Sequence, residues 1–81
     1  MATIEIQPES DSEFYLIVGG KIIVTSECPH VLERMARLLH QAREASSREA
    51  MRILTTEIGM CENYAEAVRL RLHDNTPATL N

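Results

Sequence analysis

The chain is poor in aromatic residues: its 81 residues include no tryptophan, one phenylalanine and two tyrosines. Proteins that bind single-stranded nucleic acid without sequence preference usually stack the bases on several exposed aromatic side chains. Too few rings are present here for such a platform. Hydrophobic residues still make up 44% of the chain and are mostly aliphatic. This content is typical of one small folded domain and too high for a disordered chain.

Cysteine is also scarce, since Cys28 and Cys61 are the only two. Two thiols are too few for a disulfide framework, and we expect both to be reduced in a cytoplasmic protein. Zinc ligands usually come in closely spaced pairs, and Cys28 with His30 is the single such pair. The sequence contains no phosphate-binding loop, nucleophile elbow or HExxH pattern. We therefore expect no metal, no cofactor and no enzymatic activity.

Long hydrophobic runs are missing as well. The longest, Phe14–Val18, is far shorter than the roughly 20 apolar residues of a membrane-spanning helix. The first ten residues have neither the basic start nor the apolar stretch of a signal peptide. These features predict a soluble cytoplasmic protein that has no membrane partner.

The first 25 residues have the pattern of three β-strands. Thr3–Gln7 alternates apolar and polar residues, as a half-buried strand does. The β-rich runs FYLIV and KIIVT then flank Gly19 and Gly20. Two such runs separated by two glycines predict a hairpin with a tight turn of positive φ. We expect a three-stranded antiparallel sheet in a simple 1-2-3 order.

A regular two-residue turn fixes the residue pairs of this hairpin. The expected pairs are Val18 with Lys21, Leu16 with Ile23, and Phe14 with Thr25. The opposite face of the sheet then carries Tyr15, Ile17, Ile22 and Val24. Both faces are therefore apolar, and the KIIVT strand lies at an edge. An apolar edge strand invites pairing with another chain.

After the strands the apolar residues recur with the period of an α-helix. Ser26, as a cap, and Pro29, in the first turn, predict the start of helix 1, which we expect over residues 28–45. The apolar face of this helix consists of Leu32, Met35, Leu39 and Ala42. Ser46 with Glu49 is a capping-box pattern that predicts helix 2 over residues 47–73. A tail follows over residues 74–81. The sequence thus predicts a single α+β domain, 1–81, of order β-β-β-α-α.

Two alternatives for the helices stay open. No glycine or proline lies between Pro29 and Gly59, so both helices could form one long rod. Alternatively, Gly59 could end the second helix, with Asn63 and Glu66 capping a third.

An apolar seam along helix 2 predicts a homodimer. Its members recur at heptad-like steps and are Leu54, Ile58, Cys61, Ala65, Val68 and Leu72. The predicted helix is about 40 Å long, whereas a five-residue strand covers about 17 Å. One chain would therefore leave part of the seam bare. We expect a second copy to cover it, together with the strand residues Ile22, Ile23 and Val24.

The net charge of −4 lies entirely in the first third of the chain. Residues 1–27 contain five acidic residues against Lys21 alone, while residues 28–81 contain seven acidic residues and seven arginines. This asymmetry predicts an acidic face, formed by Glu9, Asp11 and Glu13. We expect this face to bind the basic surface of an unknown protein or nucleoprotein complex. We expect a small non-enzymatic interaction or regulatory module that acts by occlusion.

In length, acidity and lack of motifs, the chain resembles the accessory proteins of phages and mobile elements, including anti-CRISPR proteins. Many of these are small inhibitors that block a larger host complex. The resemblance is one of type and involves no shared residue pattern. It implies an anti-defence inhibitor as one form of the interaction module.

A dimeric DNA-binding regulator is the alternative. Residues 54–72 align loosely with a helix-turn-helix in which Gly59 forms the turn, and the DNA contacts would come from Asn63, Arg69 and Arg71. The order of strand and two helices also resembles a ribbon-helix-helix dimer. The net charge of −4 and the early position of Glu62 and Glu66 in the second of these helices make nucleic acid an unfavourable partner.

Overall fold

Three strands followed by helices form the fold, as seen in a computed structural model of the protein that describes residues 2–73. The strands are β1 (Ile4–Ser10), β2 (Glu13–Val18) and β3 (Lys21–Ser26). The helices are α1 (Pro29–Glu44), α2 (Ser47–Arg52) and α3 (Glu62–Leu72), and a π-helical segment, Ile53–Glu57, continues α2. The α+β class and the antiparallel order β1-β2-β3 are confirmed. The tail predicted for residues 74–81 lies outside the described residues.

The glycine turn of the hairpin forms as the sequence predicts. Gly19 and Gly20 have φ values of +58° and +84°, which favour glycine, and Val18 lies opposite Lys21. The turn therefore fixes the first pair of the β2–β3 ladder.

Beyond that first pair the predicted register is wrong, because β3 contains a β-bulge. Ile17 lies opposite Ile22, but Leu16 lies opposite Val24, so Ile23 is an extra residue in the strand. Val24 therefore shares the buried face of Leu16, whereas the sequence pattern assigned it to the outer face. The shift also places Thr25 opposite Tyr15 rather than Phe14, which lies opposite Ser26. Both Ile23 and Val24 pack against the core, and this burial favours the bulge.

The first helix lies within one residue of its predicted bounds of 28–45. It begins at Pro29, and its N-cap is Cys28 rather than Ser26. The hydroxyl oxygen of Ser26 instead accepts a 3.0 Å hydrogen bond from the main-chain N–H of Cys28, just before the helix. The predicted stripe faces the sheet, and its fully buried members are Leu32, Leu39 and Ala42.

The continuous helix predicted over residues 47–73 is wrong. The chain leaves the helix at Gly59, whose φ of +93° is unfavourable for other residues, and α3 begins only at Glu62. The main-chain N–H of Met60 donates to the carbonyl oxygen of Leu54 at 2.9 Å and closes this helix end. The alternative in which Gly59 ends the helix is therefore confirmed, although the N-cap of α3 is Cys61 rather than Asn63.

Helix α2 begins at its predicted cap and continues into the π-helical segment. The side chain of Ser46 accepts a hydrogen bond from the main-chain N–H of Glu49, so the cap is confirmed. One long rod is excluded, because Ala45 and Ser46 are extended. The Thr55 hydroxyl group donates a 2.8 Å hydrogen bond to the carbonyl oxygen of Met51, a contact that often bends helices.

A single aliphatic core holds these elements together. Helix α1 packs on all three strands, and α3 packs on α1, α2 and the π-helical segment. The largest fully buried side chains are Leu16, Val18, Leu32, Leu39, Leu54 and Leu72. No helix within residues 2–73 is long and apolar enough to cross a membrane.

Candidate functional site

Acidic side chains collect at one end of the sheet. Ser10 lies opposite Glu13 across the β1–β2 turn, and Ser26 lies opposite Phe14, so β3 finishes at the same end as that turn. This register brings the predicted acidic residues together with one that the sequence pattern did not single out. We call this group the acidic end, and it consists of Glu9, Asp11, Glu13 and Glu27.

Two local features of the chain build the acidic end. The pairing of β1 with β2 shifts between Pro8 and Ser10, which makes Glu9 an extra residue beside the turn. Asp11 occupies the turn itself, and Glu27 follows the last residue of β3. Glu9, Asp11 and Glu27 are exposed, while Glu13 is half-buried. The N-terminal charge asymmetry was the available signal for Glu27, but only the register shows where it lies.

The carboxylates of the acidic end have no cationic partner within residues 2–73. All four ion pairs formed by the described residues lie on the helical part of the chain, and they are His30–Glu33, Arg52–Glu49, Arg52–Glu57 and Arg69–Glu66. Like charges that stay unpaired repel one another and favour the approach of a basic group. Over the same residues no three His, Cys, Asp or Glu side chains are grouped closely enough to hold a metal ion. The acidic end therefore offers a surface of unpaired negative charge.

Most residues of the predicted dimer seam are buried inside a single chain. Leu54, Ala65, Val68 and Leu72 are at most 3% exposed and belong to the intramolecular core. Ile58 is half-buried and packs against that core, while Cys61 is exposed. The length argument for a second copy no longer applies, because α2 and α3 fold back on each other instead of forming one overhanging helix.

The outer face of the sheet carries exposed apolar surface that favours self-association, as do Val31 on α1 and Leu70 on α3. Ile22 is 47% exposed on the sheet face, opposite a half-buried Ile17. On β1 the same face is polar, because Glu5 accepts hydrogen bonds from the side chains of Thr3 and Gln7. The homodimer stays a prediction, and its support is this mixed face together with the exposed apolar side chains of the helices.

The edge of β3 is partly covered by α3. The hydroxyl group of Tyr64 donates a 2.6 Å hydrogen bond to the carbonyl oxygen of Ile23, which lies at the bulge. Burial of the ring raises the pKa of this hydroxyl group above its ordinary value of about 10. The carbonyl oxygen of Ile23, a residue predicted at the dimer interface, is thus already bonded within the chain.

The three predicted DNA contacts are not equally available. Asn63 is exposed in the first turn of α3. Arg69 donates to Glu66 at 2.6 Å and to Ser47 at 3.3 Å, and Arg71 donates to the carbonyl oxygen of Gly19 at 3.2 Å. The hydrogen bond from Arg69 also holds the pKa of Glu66 below its usual range. Arg69 is therefore committed to contacts within the fold, while Arg71 makes a single hydrogen bond there.

Comparison with family models, curated proteins and solved structures finds no match to this chain.

Proposed function

We propose that this protein is a non-enzymatic protein-binding module whose acidic end docks onto a basic surface of a larger protein or nucleoprotein complex. The observation that carries the proposal is the register of the sheet. It gathers acidic residues from the β1–β2 turn and the end of β3 at one place, with no cationic partner among the described residues.

Repulsion within the acidic end supports the proposal. Four carboxylates at one end of the sheet without a counter-charge give this end a negative potential and repel one another across solvent, although salt screens part of this effect. A basic partner removes the repulsion on binding. The net charge of −4, all of it carried by residues 1–27, makes the attraction directional and draws the partner to this end of the molecule.

The mechanism is electrostatic attraction followed by steric occlusion. Complementary charge raises the association rate and fixes the orientation of the encounter. An 81-residue chain then covers a functional surface of its target without any chemical step. Inhibition of a larger host complex, as by small phage-type accessory proteins, is the form of regulation that this mechanism suits.

A protein partner is favoured over duplex DNA by the same charges. Non-specific DNA affinity comes from cations that neutralise phosphates, and this chain is acidic overall. Glu62 lies in the first turn of α3, where a recognition helix usually contacts bases. An electrophoretic mobility shift experiment in low salt should show no binding to duplex DNA.

Affinity capture with matched charge variants tests the proposal. The chain serves as bait in a lysate of its native host, and captured proteins are quantified. One variant reverses the predicted acidic face with Glu9→Lys, Asp11→Lys and Glu13→Lys. The control reverses three exposed helical carboxylates with Glu33→Lys, Glu44→Lys and Glu62→Lys, so both carry the same net charge.

We expect a basic partner that the wild-type chain and the helical control both retain and that the acidic-end variant loses by about tenfold or more. Thermal melting of all three chains establishes that they are folded. Equal retention by both variants would reject the acidic end as the docking surface.

A further inference from the structure

A groove between β3 and α3 has the opposite charge to the rest of the molecule. Its volume is about 100 Å³, below the roughly 300–1,000 Å³ of pockets for drug-sized ligands, so it suits a single small ring with its head group. Lys21 and Arg71 line it, and none of its described lining residues is acidic. Two cations without a carboxylate are a marked local departure in a chain of net charge −4.

The wall and floor of the groove are apolar. Ile23, Ala67 and Val68 line it together with Tyr64. The hydroxyl group of Tyr64 donates to the carbonyl oxygen of Ile23, so this contact fixes the ring at the edge of the groove. The bulge in β3 and one face of α3, from Tyr64 to Arg71, therefore form an apolar surface beside the cations.

The glycine turn positions Arg71. A Cβ atom on Gly19 would lie 3.3 Å from Cγ of Arg71, so the absence of a side chain lets the arginine stem lie against the turn. The guanidinium group donates one hydrogen bond, from Nη1 to the carbonyl oxygen of Gly19. A guanidinium group has five N–H donors, so others are available to a ligand.

We propose that this groove binds a small organic anion, with its apolar body against Ile23, Ala67 and Tyr64 and its carboxylate or phosphate head between Lys21 and Arg71. Arginine suits either head group because its planar fork bonds two oxygens at once. The groove lies beside the glycine turn, at the other end of the β2–β3 hairpin from the acidic end. The site is therefore independent of the proposed docking function.

Amide chemical-shift titration of the isotopically labelled chain tests the groove. Phenyl phosphate and phenylacetate serve as probes, and they distinguish a phosphate from a carboxylate head. Benzyl alcohol supplies the ring without charge, and inorganic phosphate supplies charge without the ring. We expect the better of the two anionic probes to bind with a dissociation constant on the order of 1 mM, as suits so few atoms. The shifted amides should lie near Lys21, Ile23 and residues 64–71.

Two variants decide whether binding occurs in the groove. Lys21→Gln should raise the dissociation constant about fivefold or more, because a charge-assisted contact is lost. Ala67→Leu adds bulk at an exposed helical position and should abolish binding without unfolding α3. The matched control, Arg34→Gln, removes one positive charge from the exposed surface of α1 and should leave binding unchanged.

Three results would overturn the proposal. The first is the absence of saturable shifts with both anionic probes. The second is equal binding of benzyl alcohol, because the cations would then contribute nothing. The third is an equal effect of Lys21→Gln and Arg34→Gln, which would mean that net charge alone attracts the probe.

Discussion

Tyr64 on α3 donates a 2.6 Å hydrogen bond from its hydroxyl group to the carbonyl oxygen of Ile23 on β3, across 41 residues of sequence. The bulge gives β3 one residue more than its partner strand, and such an extra residue is left unpaired in the ladder. The bond therefore satisfies a group at the sheet edge that would otherwise be open to another chain.

Removing the Tyr64 hydroxyl group should weaken the fold. We expect Tyr64→Phe to lower the free energy of unfolding by about 1 kcal/mol or slightly less, because one hydrogen bond is lost at a partly exposed position. Urea denaturation measures the difference. Tyr15→Phe, on the half-buried outer face of the sheet, is the matched control and should change stability less. An equal loss in both variants would mean that the hydrogen bond to Ile23 adds no stability beyond that of any tyrosine hydroxyl group on this fold.

The same hydroxyl group should make stability fall at high pH. Burial raises the pKa of Tyr64 in the folded chain, so the unfolded chain loses this proton more readily. The resulting contribution is fully present below pH 10 and is lost as the pH rises through the folded-state pKa. Urea midpoints measured between about pH 8 and 11 should therefore decline less steeply in Tyr64→Phe than in Tyr15→Phe. Parallel slopes would contradict this assignment.

The hairpin was predictable from sequence because its turn is encoded locally. Gly19 and Gly20 are the residues that a turn of two positive φ values requires, and the flanking runs are rich in β-branched residues. The bulge was not predictable, because Ile23 is stabilised by contacts with the core and with Tyr64, which come from distant parts of the chain. One extra residue then moved Val24 to the other face of the sheet.

The break in the second predicted helix was hidden by its apolar period. Leu54 and Ala65 lie on opposite sides of the break, yet both face the same core. Their spacing in the sequence is therefore the same as in a continuous helix. Gly59 was the only local signal, and glycine also occurs within helices at a cost of about 1 kcal/mol. Of the acidic end, three residues were predictable from charge and Glu27 required the register.

The direction in which a substitution of Gly59 changes the free energy of unfolding tests whether the helix ends there. We expect Gly59→Ala to destabilise the fold by roughly 1–2 kcal/mol, because alanine is strained at a φ of +93°. The added Cβ atom would meet no atom of a more distant residue within 4 Å, so the cost comes from the backbone conformation and not from a clash. In a continuous helix the same change would stabilise by about 1 kcal/mol. Urea denaturation distinguishes the two signs. Gly59→Asn should lower the free energy of unfolding less than Gly59→Ala does, since asparagine tolerates positive φ better.

A conservative change at Leu54 tests whether this residue belongs to the intramolecular core. We expect Leu54→Val to lower the free energy of unfolding by about 1 kcal/mol, because it removes a methylene group from a fully buried site. The loss relative to wild type should be constant over a hundredfold range of protein concentration. Leu70→Val, at a position that is 56% exposed, should cost less than about 0.5 kcal/mol. A Leu54 effect that changes with concentration would place this residue at an interface between copies.

The acidic end is the centre of this account, and association kinetics with the captured basic partner test it most directly. Association rate constants are measured by surface plasmon resonance for the wild-type chain, the Glu9→Lys, Asp11→Lys, Glu13→Lys variant and the helical triple control, over a series of salt concentrations. We predict that the acidic-end variant associates about tenfold or more slowly at low salt and loses most of its salt dependence, while the control stays close to wild type. Identical rate constants and identical salt slopes for the two triple variants would contradict the account.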